Sequence, residues 1–170
     1  MQNNGFATLL FDLLTPEEDS AYENRFDIDL LGNRLVAVTR WIKNQSEYKQ
    51  FDIGYFGAST GAESALKAAA GPGPDAIKAL VSRGGRPDLA VHDLDKVMCP
   101  VLLIVGENDQ SVLKLNKEAL DKLDCVKQLV VIPGATHLFE EPGTLEQVTM
   151  HAIDWFDKHL HRTIEKDFMP

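Results

Sequence analysis

Ser59, Asp109 and His137 are the residues of this chain whose types and order suit nucleophilic chemistry. Ser59 stands in Gly57-Ala58-Ser59-Thr60-Gly61, after the apolar run Ile53 to Phe56 and before the Ala-rich stretch Ala62 to Ala70. A strand that turns sharply into a helix at such a serine lifts the hydroxyl above the sheet edge, and the flanking glycines let the two backbones approach. A serine hydroxyl is a weak nucleophile until a base takes its proton, and a carboxylate behind the base fixes its tautomer. Asp109 closes Gly106-Glu107-Asn108-Asp109 after the apolar run Val101 to Val105. His137 closes Pro133-Gly134-Ala135-Thr136-His137 after the run Leu129 to Ile132. Each candidate follows an expected strand, at the carboxyl edge of a parallel sheet, where sites in α/β folds are built. The competing structural reading makes Ser59 a turn residue, Asp109 a helix cap and His137 a loop histidine. The five-residue serine pattern alone is weak, so the agreement of three placements carries the reading.

The elements that must position these residues form an alternating series. Five runs read as strands: Phe6–Leu13, Ile53–Phe56, Ala79–Ser82, Val101–Val105 and Leu129–Ile132. Several are apolar at consecutive positions, as expected of strands covered on both faces. Between them Leu31, Leu35, Val38 and Ile42 share one helical stripe, and Leu113, Asn116, Leu120 and Leu123 share another. Thr144-Leu145-Glu146-Gln147 resembles a capping box, opening a helix with Leu145, Val148, Ala152, Trp155 and Phe156. Thr15-Pro16-Glu17-Glu18 breaks the chain after the first run, and Glu17 to Asp19 reads as a solvated loop. Gly71-Pro72-Gly73-Pro74 ends the helix behind Ser59, and Phe168-Met169-Pro170 reads as a frayed tail. The series predicts an α/β fold, a mostly parallel sheet of about five strands flanked by helices, in one domain over residues 1–170.

Composition narrows the partners. The chain has 170 residues, 44% of them hydrophobic, which suffices for a core. Its net charge of −9 and the lack of a Lys/Arg cluster argue against a nucleic-acid surface. No apolar run approaches the ~18 residues of a membrane span. The first residues lack the basic and apolar regions of a signal peptide, and Cys99 and Cys125 make no disulfide framework, so a cytoplasmic protein with free thiols is expected. No metal is expected: His159 and His161 diverge on a helix, and His92 and His151 lack companions at ligand spacing. Gly54 to Gly61 lacks the Gly-Lys-Ser/Thr end of a phosphate loop, so no nucleotide cofactor is expected. Arg83 and Arg86 follow the third run. They suit either bidentate recognition of a substrate carboxylate or structural pairing with Asp88 or Asp93.

Five blocks resemble one family: Gly5–Glu18, Gly54–Ala62, Ser82–Ala90, Val101–Val112 and Val131–Gly143. They are similar to α/β-hydrolases and, more narrowly, to the serine-bearing branch of dienelactone-hydrolase-like proteins, over nearly the whole chain. The resemblance implies Ser59 as nucleophile, Asp109 as triad acid, His137 as triad base and the Thr60 N–H as one oxyanion donor. It implies hydrolysis of a small-molecule ester through an acyl-enzyme, without a cofactor. Dienelactone hydrolases carry Cys at the nucleophile position; Ser59 favours ordinary esters. In the family three strands and a helix precede the block that opens this chain. A His-Gly segment among them supplies the second oxyanion donor, so the resemblance implies a truncated α/β-hydrolase fold. The alternative is a catalytically weak or inactive hydrolase fold kept as an interaction module. A sheet whose crossover helices lie on one face, with only the terminal helix on the other, further predicts a homodimer that buries the open face.

Overall fold

The computed structural model describes residues 1–71 and 77–161. Four strands form one sheet in chain order: β1 (Ile53–Ala58), β2 (Ile77–Arg83), β3 (Val101–Gly106) and β4 (Lys127–Ile132). Every neighbouring pair is parallel. Five helices accompany them: α1 (Pro16–Asp19), α2 (Ile28–Asn44), α3 (Thr60–Ala70), α4 (Gln110–Lys122) and α5 (Thr144–His159).

Sequential parallel neighbours joined by right-handed crossovers put their connecting helices on one side. Accordingly α2, α3 and α4 cover one face, where Leu31, Leu66, Ala119 and Leu123 pack with Tyr55, Leu80 and Leu103. The terminal α5 covers the other, where Val148, Ala152, Trp155 and Phe156 pack with Val81, Leu102 and Ile104. β3 lies between two neighbours and under helices on both faces, and all six of its residues are buried. That accounts for its unbroken apolar run.

The first expected strand is not a strand. Phe6–Leu13 runs outside the sheet without regular structure. Apolar residues suit a strand, but a strand exists only where a neighbouring edge answers its backbone hydrogen bonds. Here Gly5, at φ +82°, turns the chain. Phe6 then leaves toward α5, with its ring centroid 6.2 Å from that of Phe156. The sheet therefore has four strands where five were expected.

Two local expectations are also corrected. Thr144 does not cap α5; Gly143, at φ +81°, holds the cap position. The Thr144 hydroxyl instead donates toward Phe139 O (2.9 Å) and Glu141 O (2.7 Å), back into the preceding loop. The capping box lies at Thr15, whose hydroxyl accepts from Glu18 N while the Glu18 carboxylate accepts from Thr15 N. Glu17 to Asp19 is thus the short α1 and not a loop, with Glu18 held by Arg34 at 2.6 and 2.8 Å and Asp19 by Arg25. α3 ends at Gly71 as expected; Pro72 to Pro74 of that break and the tail Phe168 to Pro170 lie outside the described residues.

Candidate active site

Ser59 sits where β1 hands over to α3. It has φ +49° and ψ −128°, one of two non-glycine residues with positive φ among the described residues. A backbone so placed costs on the order of 1–3 kcal/mol and persists only where its surroundings impose it. Here the Ser59 N–H donates to Arg83 O at 3.0 Å, and Ser59 O accepts from Ala62 N at 2.9 Å. Of the two flanking glycines, only Gly57 is needed for close approach. A β-carbon there would stand 2.4 Å from Gly61 O and 2.6 Å from Ala62 Cα, whereas one on Gly61 would meet nothing within 4 Å. The Thr60 N–H begins α3, where backbone donors lack intrahelical acceptors and the helix dipole favours negative charge.

Asp109 occupies the position before α4, yet its side chain makes no capping bond. Its Oδ2 lies 2.7 Å from His137 Nδ1, across 28 positions of sequence. The carboxylate side chain is 12% exposed and the imidazole 39%, so the pair is sheltered on the acid side and open on the other. The bond requires the loops after β3 and β4 to lie together, and four contacts hold them, with a fifth bracing the second loop. Glu107 N donates to Ile132 O and Asn108 N to Ala135 O. The Asn108 amide donates to Gly134 O, and Gly134 N to the Glu107 carboxylate. Thr136 N donates to Glu141. The Glu141 carboxyl is held below the usual range by that contact.

A short loop after β2 joins these parts. Gly84, at φ +57°, lies under His137: a β-carbon on it would stand 3.4 Å from the ring's Cε1 and 3.5 Å from Nδ1. The residue before it, Arg83, holds the Ser59 backbone. Ser59, Asp109 and His137 thus follow β1, β3 and β4 at the carboxyl edge of one sheet, and Asp109 and His137 are in contact. Among the described residues the Ser59 hydroxyl makes no hydrogen bond.

The two arginines separate. Arg86 is committed to Asp88 through two bonds, 2.9 and 2.7 Å. Arg83 has no carboxylate partner among the described residues. Its guanidinium lies 5.5 Å from the Phe139 ring centroid, its Nε is buried without a partner, and burial lowers its pKa. Among the described residues no group of three His, Cys, Asp or Glu side chains forms a metal-ligand set. Cys99 and Cys125 are both free, and burial pushes the Cys99 thiol up to about 12. No described helix is long and apolar enough to cross a membrane.

Sequence reasoning missed Glu63. It is fully buried one turn into α3, and burial pushes its carboxyl up to about 8. An acidic residue within an otherwise Ala-rich apolar helix was the available signal.

Comparison with known proteins gives the family and the fold. The model of the Dienelactone hydrolase family matches residues 3–160. Two Mycobacterium tuberculosis proteins, from strains CDC 1551 and H37Rv, are 59% identical over 156 residues, 92% of this chain. They carry the provisional name phosphoribosyl transferase, and the chain spans 35% of their length. The crystal structure of a dienelactone hydrolase from Anabaena variabilis is 49% identical, with a TM-score of 0.91 over 94% of this chain and 76% of that one. Est1E from Butyrivibrio proteoclasticus, 21% identical, shares the fold at a TM-score of 0.67 over 77% of this chain and 70% of its own.

Proposed function

Because the chain belongs to the dienelactone hydrolase family, we propose that it is a serine hydrolase that cleaves small carboxylic esters through Ser59, His137 and Asp109. The observation that carries this reading is the Asp109 carboxylate, turned away from the helix it precedes and onto the His137 imidazole at 2.7 Å. A capping aspartate would bond the first amides of α4. One bonded to Nδ1 leaves Nε2 as the ring's basic nitrogen.

In the proposed reaction the neutral His137 takes the Ser59 proton as Oγ attacks the acyl carbon. Asp109 stabilises the imidazolium that results. The Thr60 N–H donates to the oxyanion, whose charge develops at the α3 N-terminus. His137 then gives its proton to the departing alcohol, and a water activated by the same imidazole releases the acid. No step calls on a cofactor. Arg83, a partly buried cation without a counter-ion among the described residues, suits a substrate that brings its own negative group, since leaving such a charge unpaired is costly.

The transferase name of the M. tuberculosis relatives describes proteins of which this chain spans 35%, so most of their length lies outside the matched region. Hydrolysis is the activity that the matched family and the site support together. A fluorophosphonate probe tests it. The wild-type chain is expected to label and to turn over short-chain aryl esters, and Ser59→Ala to do neither. Labelling of neither protein would favour the inactive interaction module. Arg83→Ala is expected to raise KM for esters bearing a carboxylate and to leave neutral esters unchanged.

A further inference from the structure

The loop of Gly84, Gly85 and Arg86 is gripped from two sides. From α3, the Glu63 carboxyl accepts the Arg86 N–H through Oε1. From α4, the Asn116 amide donates to Gly85 O at 2.9 Å and to Val112 O at 2.8 Å. Glu63, Asn116 and Ser82 are all fully buried. A β-carbon on Gly85 would stand 2.4 Å from Ser82 Oγ and 2.8 Å from Glu63 Oε1, so the loop is pressed directly onto these groups. Three polar atoms, Glu63 Oε2, Ser82 Oγ and Asn116 Oδ1, face this interior without a hydrogen-bond partner among the described residues. α3 is the helix that Ser59 starts, α4 the helix that Asp109 precedes, and Gly84 lies beneath His137. One loop therefore sets the relative positions of all three.

We propose that Glu63 is a positioning residue for His137: with Asn116 it clamps the Gly84–Arg86 loop on which the imidazole rests. The neutral acid can accept from Arg86 N–H and still offer a proton to the buried acceptors around it. An ionised carboxylate can only accept, and it would place an uncompensated charge in this interior. The charged groups that face Glu63 are Arg86 and Asp88, which are bonded to each other. β2 presents the uncharged Ser82 and α4 the uncharged Asn116. Lys67, the next turn of α3, is engaged by Asp29 and Asp93. Among the described residues no cation is therefore set to receive the charge, and ionisation loosens the grip. The consequence for catalysis rests on the triad proposed above; the clamp itself does not.

The test compares wild type, Glu63→Gln and Glu63→Ala in two ways. Gln keeps an acceptor and a donor and cannot ionise. In ester hydrolysis, wild-type kcat is expected to fall as pH rises past about 8 with KM little changed, and Glu63→Gln to lack that alkaline fall. Glu63→Ala is expected to lose roughly tenfold or more in kcat across the range, most of which Glu63→Gln restores. Independently of turnover, the Gly84, Gly85 and Arg86 amide resonances of wild type are expected to titrate together over the same pH range, and those of Glu63→Gln to stay fixed. If wild type labels with fluorophosphonate and Glu63→Gln keeps the alkaline fall, Glu63 does not position His137. If ester turnover is absent altogether, the triad reading fails and the amide titration alone decides the clamp. Amides that do not move with pH overturn it.

Discussion

A β-carbon built on Gly106 would stand 2.4 Å from the carbonyl oxygen of Ala135 and 2.7 Å from that of Thr136. Gly106 is the last residue of β3, and Ala135 lies in the loop that leads from β4 to His137. The Asp109–His137 contact thus depends on a missing side chain three residues before the aspartate. Gly106→Ala is expected to destabilise the fold by about 1–3 kcal/mol, since the obstacle is backbone and not a flexible side chain. It should also slow probe labelling of Ser59 by separating the two loops. Denaturant unfolding and labelling kinetics check both, and a variant unchanged in each would show that the loops need not touch.

Ser59 and His137 are expected to fail as a unit. Each alanine variant should lose nearly all ester turnover, and the double variant should lose little more, because neither group catalyses without the other. Losses that multiply in the double variant would mean that the two act separately. Substantial turnover by purified Ser59→Ala would remove the nucleophile altogether.

Two carboxyls should give stability opposite dependences on pH. Glu63 is raised from 4.5 to about 8 by burial. Between those values the folded chain keeps a proton that the unfolded chain has released, so stability falls as pH rises through the window and levels off above it. Glu18 is lowered from 4.5 to about 2, chiefly by its hydrogen bond from Arg34. Its contribution is present above 4.5 and is lost as pH falls toward 2. Denaturation midpoints from pH 3 to 9 are expected to lose the decline between 4.5 and about 8 in Glu63→Gln and part of the acid decline in Glu18→Gln. A Glu63→Gln curve parallel to wild type would place that loss elsewhere.

What the sequence disclosed follows from how local each signal is. The four strands of the sheet and the helices behind them were legible, because two-sided burial writes continuous apolar runs such as Val101 to Val105 and helix burial writes stripes such as Leu31 and Leu35. The places of Ser59, Asp109 and His137 beyond strand ends were legible because each follows such a run. Phe6–Leu13 misled because an apolar segment looks the same whether or not an edge is there to pair with it. Thr144 misled because its hydroxyl points back to Phe139 and Glu141, a choice set by the loop's path and not by the four-residue pattern. Glu63, a lone acid in an Ala-rich helix, was missed because Arg86, whose N–H it accepts, and Asn116, which holds Gly85 O, come together only through the packing of two helices on one loop.

The homodimer expected from the sequence would place its contact on the α5 face. A β-carbon on Gly54 would stand 2.6 Å from the Phe156 ring, so α5 lies directly over that end of β1. Phe56, two residues on, points to the same face of the sheet, yet 46% of it is exposed. β1 also has no ladder partner on its outer edge among the described residues. Near the chain start, Leu9 and Leu10 are exposed as well, Leu10 by 97%. An open parallel edge beside an exposed aromatic ring invites pairing, and a twofold partner covers both with the same surface patch. Light scattering at micromolar concentration is expected to give a dimer. Phe56→Glu should shift it to monomer without loss of secondary structure, because the new charge would be desolvated at the twofold contact. A wild-type monomer that binds no hydrophobic dye would show that the face requires no cover, and a Phe56→Glu variant that stays dimeric would move the interface away from β1.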